Sequence, residues 1–161
     1  MNRYYIGIDL GGTLIKLSSI DVSSEPPRFG EVRRASTPAG DAEGIVAAMV
    51  KAAGEVIERC RSAGGEVAGV GIGAPGPLDG GRGIIVNAPN LPELSGMPIR
   101  DCVGEALGLP AVLENDANAA AWGEHLFGAA RGIGSMVLLT LGTGVGGGII
   151  LMRQGFFATI T

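Results

Sequence analysis

Residues 4–20 read YYIGIDLGGTLIKLSSI, and this stretch decides the fold. Two runs of strand-forming residues, 4–10 and 14–20, flank a short glycine-threonine sequence that is typical of a tight turn. The pattern therefore predicts a β-hairpin. The same plan returns near the end of the chain, because residues 139–144, LTLGTG, can be laid over residues 8–13, IDLGGT. This similarity indicates two copies of one supersecondary unit, the second beginning at about residue 135.

The sequence between these two segments alternates between strand and helix signals. A long helix is predicted to begin after Asp41, a typical N-cap, and to end at Gly64-Gly65. The other predicted elements are strands over residues 29–37, 67–72 and 111–114, helices over residues 100–107 and 117–127, a loop over residues 73–79 and an irregular segment over residues 80–99. Helices that alternate with strands predict a layered α/β fold.

Composition and charge exclude several classes of protein. The 161 residues suffice for one ordinary domain, and the net charge of −4 argues against nucleic acid or an anionic membrane as a main partner. Cys60 and Cys102 lie far apart in the sequence, which favours reduced thiols of a cytoplasmic protein over a disulfide. His125 is the only histidine, and we expect it on a helix surface or at a helix end. The first residues carry no secretory signal pattern.

One stretch raises the question of a membrane span. Residues 132–152 form 21 consecutive positions without a charge, a length that could cross a bilayer. Seven of these 21 residues are glycines, and each costs about 1 kcal/mol inside a helix. Two strands joined by a glycine turn explain the stretch better.

Two segments match the pattern GxGxxG, residues 71–76 and 142–147. Neither is followed by a helix signal, which a dinucleotide-binding fingerprint requires. The chain also lacks the P-loop pattern GxxxxGK[ST]. Glycines that hold a phosphate in this protein would therefore do so from hairpin turns, where backbone N–H groups can form an anion-binding nest.

DLGGTLIK, residues 9–16, contains the groups that such a phosphate turn needs. Gly11 and Gly12 allow a phosphate close to the backbone, and the Thr13 hydroxyl adds a donor. Lys16 supplies positive charge, and Asp9 could hold a hydrated Mg²⁺. An ordinary alternative stays open, in which the segment is a plain hairpin with Asp9 paired to Lys16 or with Lys16 simply solvated.

LENDANAAAWGE, residues 113–124, places Asn115 and Asp116 between a predicted strand and a predicted helix. Helix capping is one explanation of a polar pair at such a junction. In the other, Asp116 is a general base that takes the proton from a substrate hydroxyl as its oxygen attacks phosphorus. Asn115 would then bind a neighbouring hydroxyl.

Five motifs in order, DLGGT-x-x-K, GAPGPLD, NAPNLP, ENDANAAAWGE and LLTLGTGVGGGI, resemble the ROK family of sugar kinases and repressors, in particular the bacterial ATP-dependent glucokinases. The resemblance covers residues 4 to about 152. It implies a ribonuclease-H-like fold of the actin-like ATPase superfamily, with a mixed sheet flanked by helices. Residues 1–134 would form the first such domain, and residues 135–161 the first hairpin of a second.

The resemblance also implies roles for individual residues. Those that match the two ATP phosphate motifs are Asp9, Gly11, Gly12, Thr13 and Lys16, and then Gly142, Thr143, Gly144, Gly146 and Gly147. Asn90 and Asn115 match ligands of sugar hydroxyls, the Gly76 loop would lie against the sugar, and Asp116 matches the catalytic base. The implied ligands are a hexose, ATP and Mg²⁺, the last held by Asp9 through water. The full-length protein would be a homodimer without nucleic-acid or membrane partners.

The sequence departs from the family after residue 152. The family continues with a glutamate and a histidine for the sugar, a cysteine cluster for zinc and the adenosine-binding half of the second domain. Cys60 and Cys102 do not match that cluster, and because DLGGT starts at residue 9 we expect no helix-turn-helix ahead of it. We therefore expect a sugar kinase by family and an incomplete chain with little or no activity of its own, in which Ile149, Ile150, Phe156 and Phe157 have little to pack on. The alternative is a non-catalytic sugar-binding or interaction fragment.

Overall fold

A computed structural model of the chain describes residues 1–141, 145–151 and 157–160. The predicted first hairpin is present as β1 (Arg3–Leu10) and β2 (Leu14–Asp21), which pair antiparallel. The Gly11 N–H closes the turn by donating to the carbonyl oxygen of Leu14 at 3.1 Å. Isoleucines and leucines at alternate positions of both strands are buried, as a sheet covered on one face requires.

This hairpin belongs to a six-stranded mixed sheet. The predicted strand over residues 29–37 is in fact two short strands, β3 (Arg28–Phe29) and β4 (Arg33–Ser36), both antiparallel to β2. On the other side, β5 (Glu66–Ala74) runs parallel to β1 and is followed in the sheet by β8 (Ala111–Asn115). A parallel neighbour needs a crossover, and the helix between β4 and β5 provides it.

That helix, α1 (Ala42–Ser62), begins and ends where the sequence predicts. The Asp41 carboxylate caps it by accepting from the Gly44 N–H at 2.9 Å. The buried positions of α1 recur at helical spacing and face the sheet: Ile45, Met49, Ala53, Val56, Ile57 and Cys60. A second helix, α2 (Ile99–Leu107), packs against α1 and ends at Gly108 in the left-handed conformation.

The segment between β5 and α2 is more ordered than predicted. β5 extends to Ala74, and β6 (Leu78–Asp79) pairs with β7 (Ile84–Ile85) in a small ribbon. A 3-10 helix follows over Pro92–Leu94, and its Leu94 is fully buried. Two-residue strands leave no periodic pattern in a sequence, which is why a loop and an irregular stretch were expected here.

The chain divides into two compact units, Met1–Glu114 and Asn115–Thr161. The second contains α3 (Asp116–Phe127) and a three-stranded antiparallel sheet in the order β11-β10-β9. Its strands are β9 (Ser135–Leu141), β10 (Val145–Leu151) and β11 (Phe157–Ile160). The strands of the predicted second hairpin are therefore present as β9 and β10. The domain boundary at residue 134 stays a prediction.

Helix α3 lies very close to β10 in this unit. A Cβ atom added to Gly148 would come within 2.6 Å of the Ala121 Cβ and 2.8 Å of the Ala117 carbonyl oxygen. Only glycine therefore fits on the strand opposite these alanines. The expectation that Ile150 has little to pack on is wrong, since Ile150 is 2% exposed, while Ile149 is half-buried. The side chains of Phe156 and Phe157 lie outside the description.

His125 belongs to the same helix face as these alanines. It lies in the last turn of α3, as predicted, but it is buried and not on the surface. Trp122 meets it edge-on, with 5.9 Å between ring centroids. Among the described residues, no atom hydrogen-bonds the His125 Nδ1. Across all the residues that the structure describes, no helix combines the length and apolar character that a membrane span requires.

Candidate functional site

The DLGGT turn lies at the carboxyl end of β1, beside the carboxyl end of β5. Asp9 is the antiparallel partner of Lys16 on β2 and the parallel partner of Gly73 on β5. The Lys16 Nζ lies 3.1 Å from Asp9 Oδ2, and the two side chains stay 49% and 53% exposed. The Asp9–Lys16 ion pair of the plain-hairpin alternative is thus present in the structure, and both groups face solvent.

The backbone of the turn offers donors to solvent. The Gly11 N–H is used by Leu14, whereas the N–H groups of Gly12 and Thr13 make no hydrogen bond to any residue that the structure describes. Both residues are exposed. Adjacent free amides in a turn can bind an anion, so the structure leaves the predicted phosphate donors available.

Asn90, the predicted sugar ligand, touches this turn. A Cβ atom added to Gly12 would come within 3.3 Å of the Asn90 Cβ and 3.4 Å of its carbonyl oxygen. The fold thereby brings the predicted phosphate turn and the predicted hydroxyl ligand into contact within the first unit. Asn90 itself is exposed.

Gly76, whose loop is predicted to lie against the sugar, packs on the segment that leads to Asn90. Its φ of +87° is in the left-handed region, and an added Cβ would overlap the carbonyl oxygen of Asn87. Glycine is therefore required here by both conformation and space. The loop before β6 packs directly on the backbone that leads to Asn90.

Arg100, at the start of α2, braces the ribbon, and sequence reasoning missed it. Its Nη1 donates to the carbonyl oxygens of Gly80 and Gly81 at 3.0 and 3.3 Å, and its Nε donates to Asp101 Oδ1 at 2.7 Å. The hydrogen bond from Arg100 lowers the pKa of the Asp101 carboxyl, and the same bond raises the pKa of the Arg100 guanidinium. A lone arginine near a helix start gives no signal that it will reach back to a turn.

Asn115 and Asp116 lie in the second unit, where they form the start of α3. The Asn115 Oδ1 accepts from the N–H groups of Ala117 and Asn118 at 3.0 and 3.2 Å, so Asn115 is the N-cap. Asp116 Oδ1 also accepts from the Ala117 N–H, at 2.8 Å. Asn115 is 7% exposed, whereas Asp116 is exposed. The capping explanation holds for Asn115, and the Asp116 carboxylate also faces solvent.

The second glycine motif is described only in part. Gly142, Thr143 and Gly144 lie outside the described residues. A Cβ on Gly146 would come within 2.6 Å of Thr140 Oγ1 and 3.4 Å of the Ala117 Cβ, which explains this glycine by packing. A Cβ on Gly147 would meet only ordinary contacts, the nearest at 3.4 Å.

The described residues contain no group of three or more histidine, cysteine, aspartate or glutamate side chains that could hold a metal. A site for hydrated Mg²⁺ needs fewer protein ligands, because the ion keeps several waters and takes one or two carboxylates. The exposed carboxylate of Asp9 fits that requirement. Cys60 is buried in the core and Cys102 is half-buried on α2, and both are free thiols.

The comparisons with known proteins agree with this geometry. The model of the ROK family matches residues 5–156. A glucokinase of Streptomyces coelicolor is 41% identical over 155 residues, which are 94% of this chain and 46% of that protein. The chain spans about half the length of the relatives it matches.

Solved structures give the same result. A ROK hexokinase from Thermus thermophilus is 42% identical, with a TM-score of 0.78 over 92% of this chain and 47% of that one. A ROK family glucokinase from Streptomyces griseus, in complex with glucose and AMPPNP, is 43% identical, with a TM-score of 0.77 over 97% of this chain and 48% of that one. The predicted fold class is confirmed. Because the family model spans nearly the whole chain, the protein belongs to the ROK family.

Proposed function

We propose that this chain is part of a kinase that transfers the γ-phosphoryl group of ATP to a hexose hydroxyl, as a glucokinase does. It would supply the Gly76 loop for the sugar and the two glycine turns for the phosphates. The closeness of Gly12 to Asn90 supports the proposal, because the residues proposed as phosphate turn and as hydroxyl ligand lie side by side. The 41% identity to a glucokinase and the similarity to a structure that holds glucose and AMPPNP support it.

In this proposal Asn90 and Asn115 each bind a hexose hydroxyl, and the Gly76 loop contacts the sugar. Asp116 accepts the proton of the attacking hydroxyl while the hydroxyl oxygen forms its bond to the γ-phosphorus. The bond from that phosphorus to the β–γ bridging oxygen breaks, and ADP leaves with the electron pair. The exposure of the Asp116 carboxylate is compatible with this role.

The phosphate side would use the free N–H groups of Gly12 and Thr13, the Thr13 hydroxyl and the Lys16 ammonium. Gly11 shapes the turn, and its own N–H donates to the Leu14 carbonyl oxygen. Asp9 would hold Mg²⁺ through water, and the ion would neutralise charge on the phosphate oxygens. The second motif, with Gly142, Thr143, Gly144, Gly146 and Gly147, would also bind the phosphates.

A second candidate is a sugar-binding function without phosphoryl transfer. Two observations favour it: Asp9 is already paired with Lys16, and packing alone explains Gly146. In that case Asn90 and the Gly76 loop would still bind a hexose, while ATP would not bind measurably.

Calorimetric titrations of the 161-residue chain with glucose and with AMPPNP, each alone and in the presence of Mg²⁺, distinguish the two candidates. Kinase function predicts binding of both ligands and, when ATP replaces AMPPNP, formation of a hexose phosphate that falls about a hundredfold or more in Asp116→Asn. Glu105→Gln, which neutralises an exposed carboxylate on α2, serves as the matched control. Activity that survives in Asp116→Asn would remove Asp116 as the base, and glucose binding without AMPPNP binding would favour the second candidate.

Three predictions about the whole protein belong to the same proposal. They are a domain boundary between residues 134 and 135, a homodimer as the state of the full-length protein, and the cytoplasm as its location. The relatives include a glucokinase and an N-acetylmannosamine kinase, so parallel titrations with glucose and N-acetylmannosamine would show which of these two sugars binds more tightly.

A further inference from the structure

Residues 37–41 connect β4 to α1 and are called here the connecting segment. At its start, Thr37 continues the pairing of β4 with β2 by donating its N–H to the Thr13 carbonyl oxygen at 3.0 Å. The Thr37 hydroxyl also donates to the Gly11 carbonyl oxygen at 2.7 Å. One residue therefore holds both sides of the DLGGT turn.

The other end of the connecting segment reaches the 3-10 helix that follows Asn90. The N–H of Gly40 donates to Glu93 Oε1 at 3.0 Å. Glu93 lies in the 3-10 helix that follows Asn90, and its neighbours Leu91 and Leu94 are 2% and 0% exposed. Because these leucines anchor the helix in the core, Glu93 has a fixed base from which to hold Gly40.

The contacts form a closed ring within the first unit. It runs from the turn through Thr37 and Gly40 to Glu93, along the chain to Asn90, and back to the turn through Gly12. The turn contains two adjacent glycines, which have the widest backbone freedom of any residue. Without the ring, the positions of the free N–H groups relative to Asn90 would vary.

We propose that Thr37 and Glu93 are positioning residues that fix the phosphate turn relative to Asn90. The proposal rests on the proposed function for its ligands. Neither residue touches the transferred group in this account. They act through Gly11, Thr13 and Gly40, by holding a flexible turn at the separation that a bound phosphate and a sugar hydroxyl require.

The test compares Thr37→Val, which removes the hydroxyl and keeps the shape, with Thr37→Ser, which keeps the hydroxyl. Amide hydrogen exchange of the Gly11 N–H, which donates to the Leu14 carbonyl oxygen, reads the turn directly, without any ligand. One hydrogen bond contributes about 1 kcal/mol, so exchange there should be roughly five- to tenfold faster in Thr37→Val and unchanged in Thr37→Ser. Equal exchange in wild type and both variants would overturn the proposal.

Ligand titrations on the same variants test the functional part. AMPPNP affinity should fall about three- to tenfold in Thr37→Val and recover in Thr37→Ser. Glu93→Ala should weaken glucose binding, whereas Glu93→Gln, whose amide oxygen still accepts from Gly40, should not. Faster exchange with unchanged affinities would reduce Thr37 to a structural residue and overturn the proposal. If wild type binds neither ligand, the proposed function fails, while the exchange data still decide whether Thr37 holds the turn.

Discussion

Gly12 lies next to Asn90, and the space between the two residues is too small for a side chain on Gly12 at an ordinary contact distance. A Cβ atom on Gly12 would come within 3.3 Å of the Asn90 Cβ, so an alanine there forces a shift of a few tenths of an ångström. Two residues that are far apart in the sequence thus set the distance between the predicted phosphate turn and the predicted hydroxyl ligand.

Gly12→Ala should weaken glucose binding about threefold to tenfold with little loss of stability, because Asn90 is exposed and can move. Calorimetry with glucose measures the first effect and urea denaturation the second. Gly80→Ala is the matched control, since a Cβ there meets no atom within 4 Å. Full glucose affinity in Gly12→Ala would show that the contact does not position Asn90 for the sugar.

Gly76→Ala should destabilise the first unit by more than about 2 kcal/mol, because it combines a left-handed φ with overlap on the Asn87 carbonyl. Gly96→Ala isolates the conformational part, since Gly96 has a φ of +79° and open space around it. That control should cost only about 1–2 kcal/mol. Equal losses in the two variants, measured by urea denaturation, would contradict the packing of the Gly76 loop on Asn87.

Asn115 substitutions separate the cap from any role in binding. Asn115→Ala should cost about 1 kcal/mol, because the Asn118 N–H loses the Asn115 acceptor and the Ala117 N–H keeps only Asp116. Asn115→Asp keeps the acceptor and should preserve stability, but it removes the side-chain amide. Thermal denaturation of both variants beside a glucose titration tests this. A stable Asn115→Asp that binds glucose normally would limit Asn115 to capping.

Acid should weaken the brace that Arg100 provides. The hydrogen bond from Arg100 lowers the pKa of Asp101, so this interaction is fully present above the unfolded carboxyl pKa and is lost as the pH falls through the folded one. Because both groups face solvent, the change is small and decreases in salt. Asp101→Asn should therefore show a slightly smaller loss of stability than wild type between about pH 6 and about pH 2.5. An identical acid dependence would show that the hydrogen bond between Arg100 and Asp101 does not stabilise the fold.

One face of β9 and β10 should cause self-association. Val137, Leu139, Leu141 and Val145 are 65%, 67%, 82% and 74% exposed, and their strand register puts them on the same face. Replacing Leu139 with lysine should shift sedimentation of the chain toward monomer. Replacing the exposed Val112 with lysine, on a strand of the first unit, is the control and should leave sedimentation unchanged. A wild-type chain that stays monomeric at high concentration would contradict this expectation.

Sequence reasoning predicted the elements whose signals are local. Alternation identified β1 and β2, and the Asp41 cap with its helical apolar spacing identified α1. The ribbon of β6 and β7 was missed because two-residue strands have no period.

The candidate site divides in the same way. Its residue types and motifs are visible in the sequence, but the contact of Gly12 with Asn90 is a tertiary event that no local pattern encodes. Thr37 was missed for a related reason, since a threonine at the end of a strand is ordinary until the fold brings the Gly11 carbonyl to it.

The close packing of α3 on β10 has a mechanical consequence. Gly146 and Gly148 leave no side chain between the strand and the helix at Ala117 and Ala121, so no rotamer change can absorb a relative movement of the two elements. Movement of β10 toward α3 would therefore meet the helix directly at its first turns, where Asp116 is located. The predicted base thus lies at the start of a helix that packs directly on the strand backbone, with glycines in place of side chains.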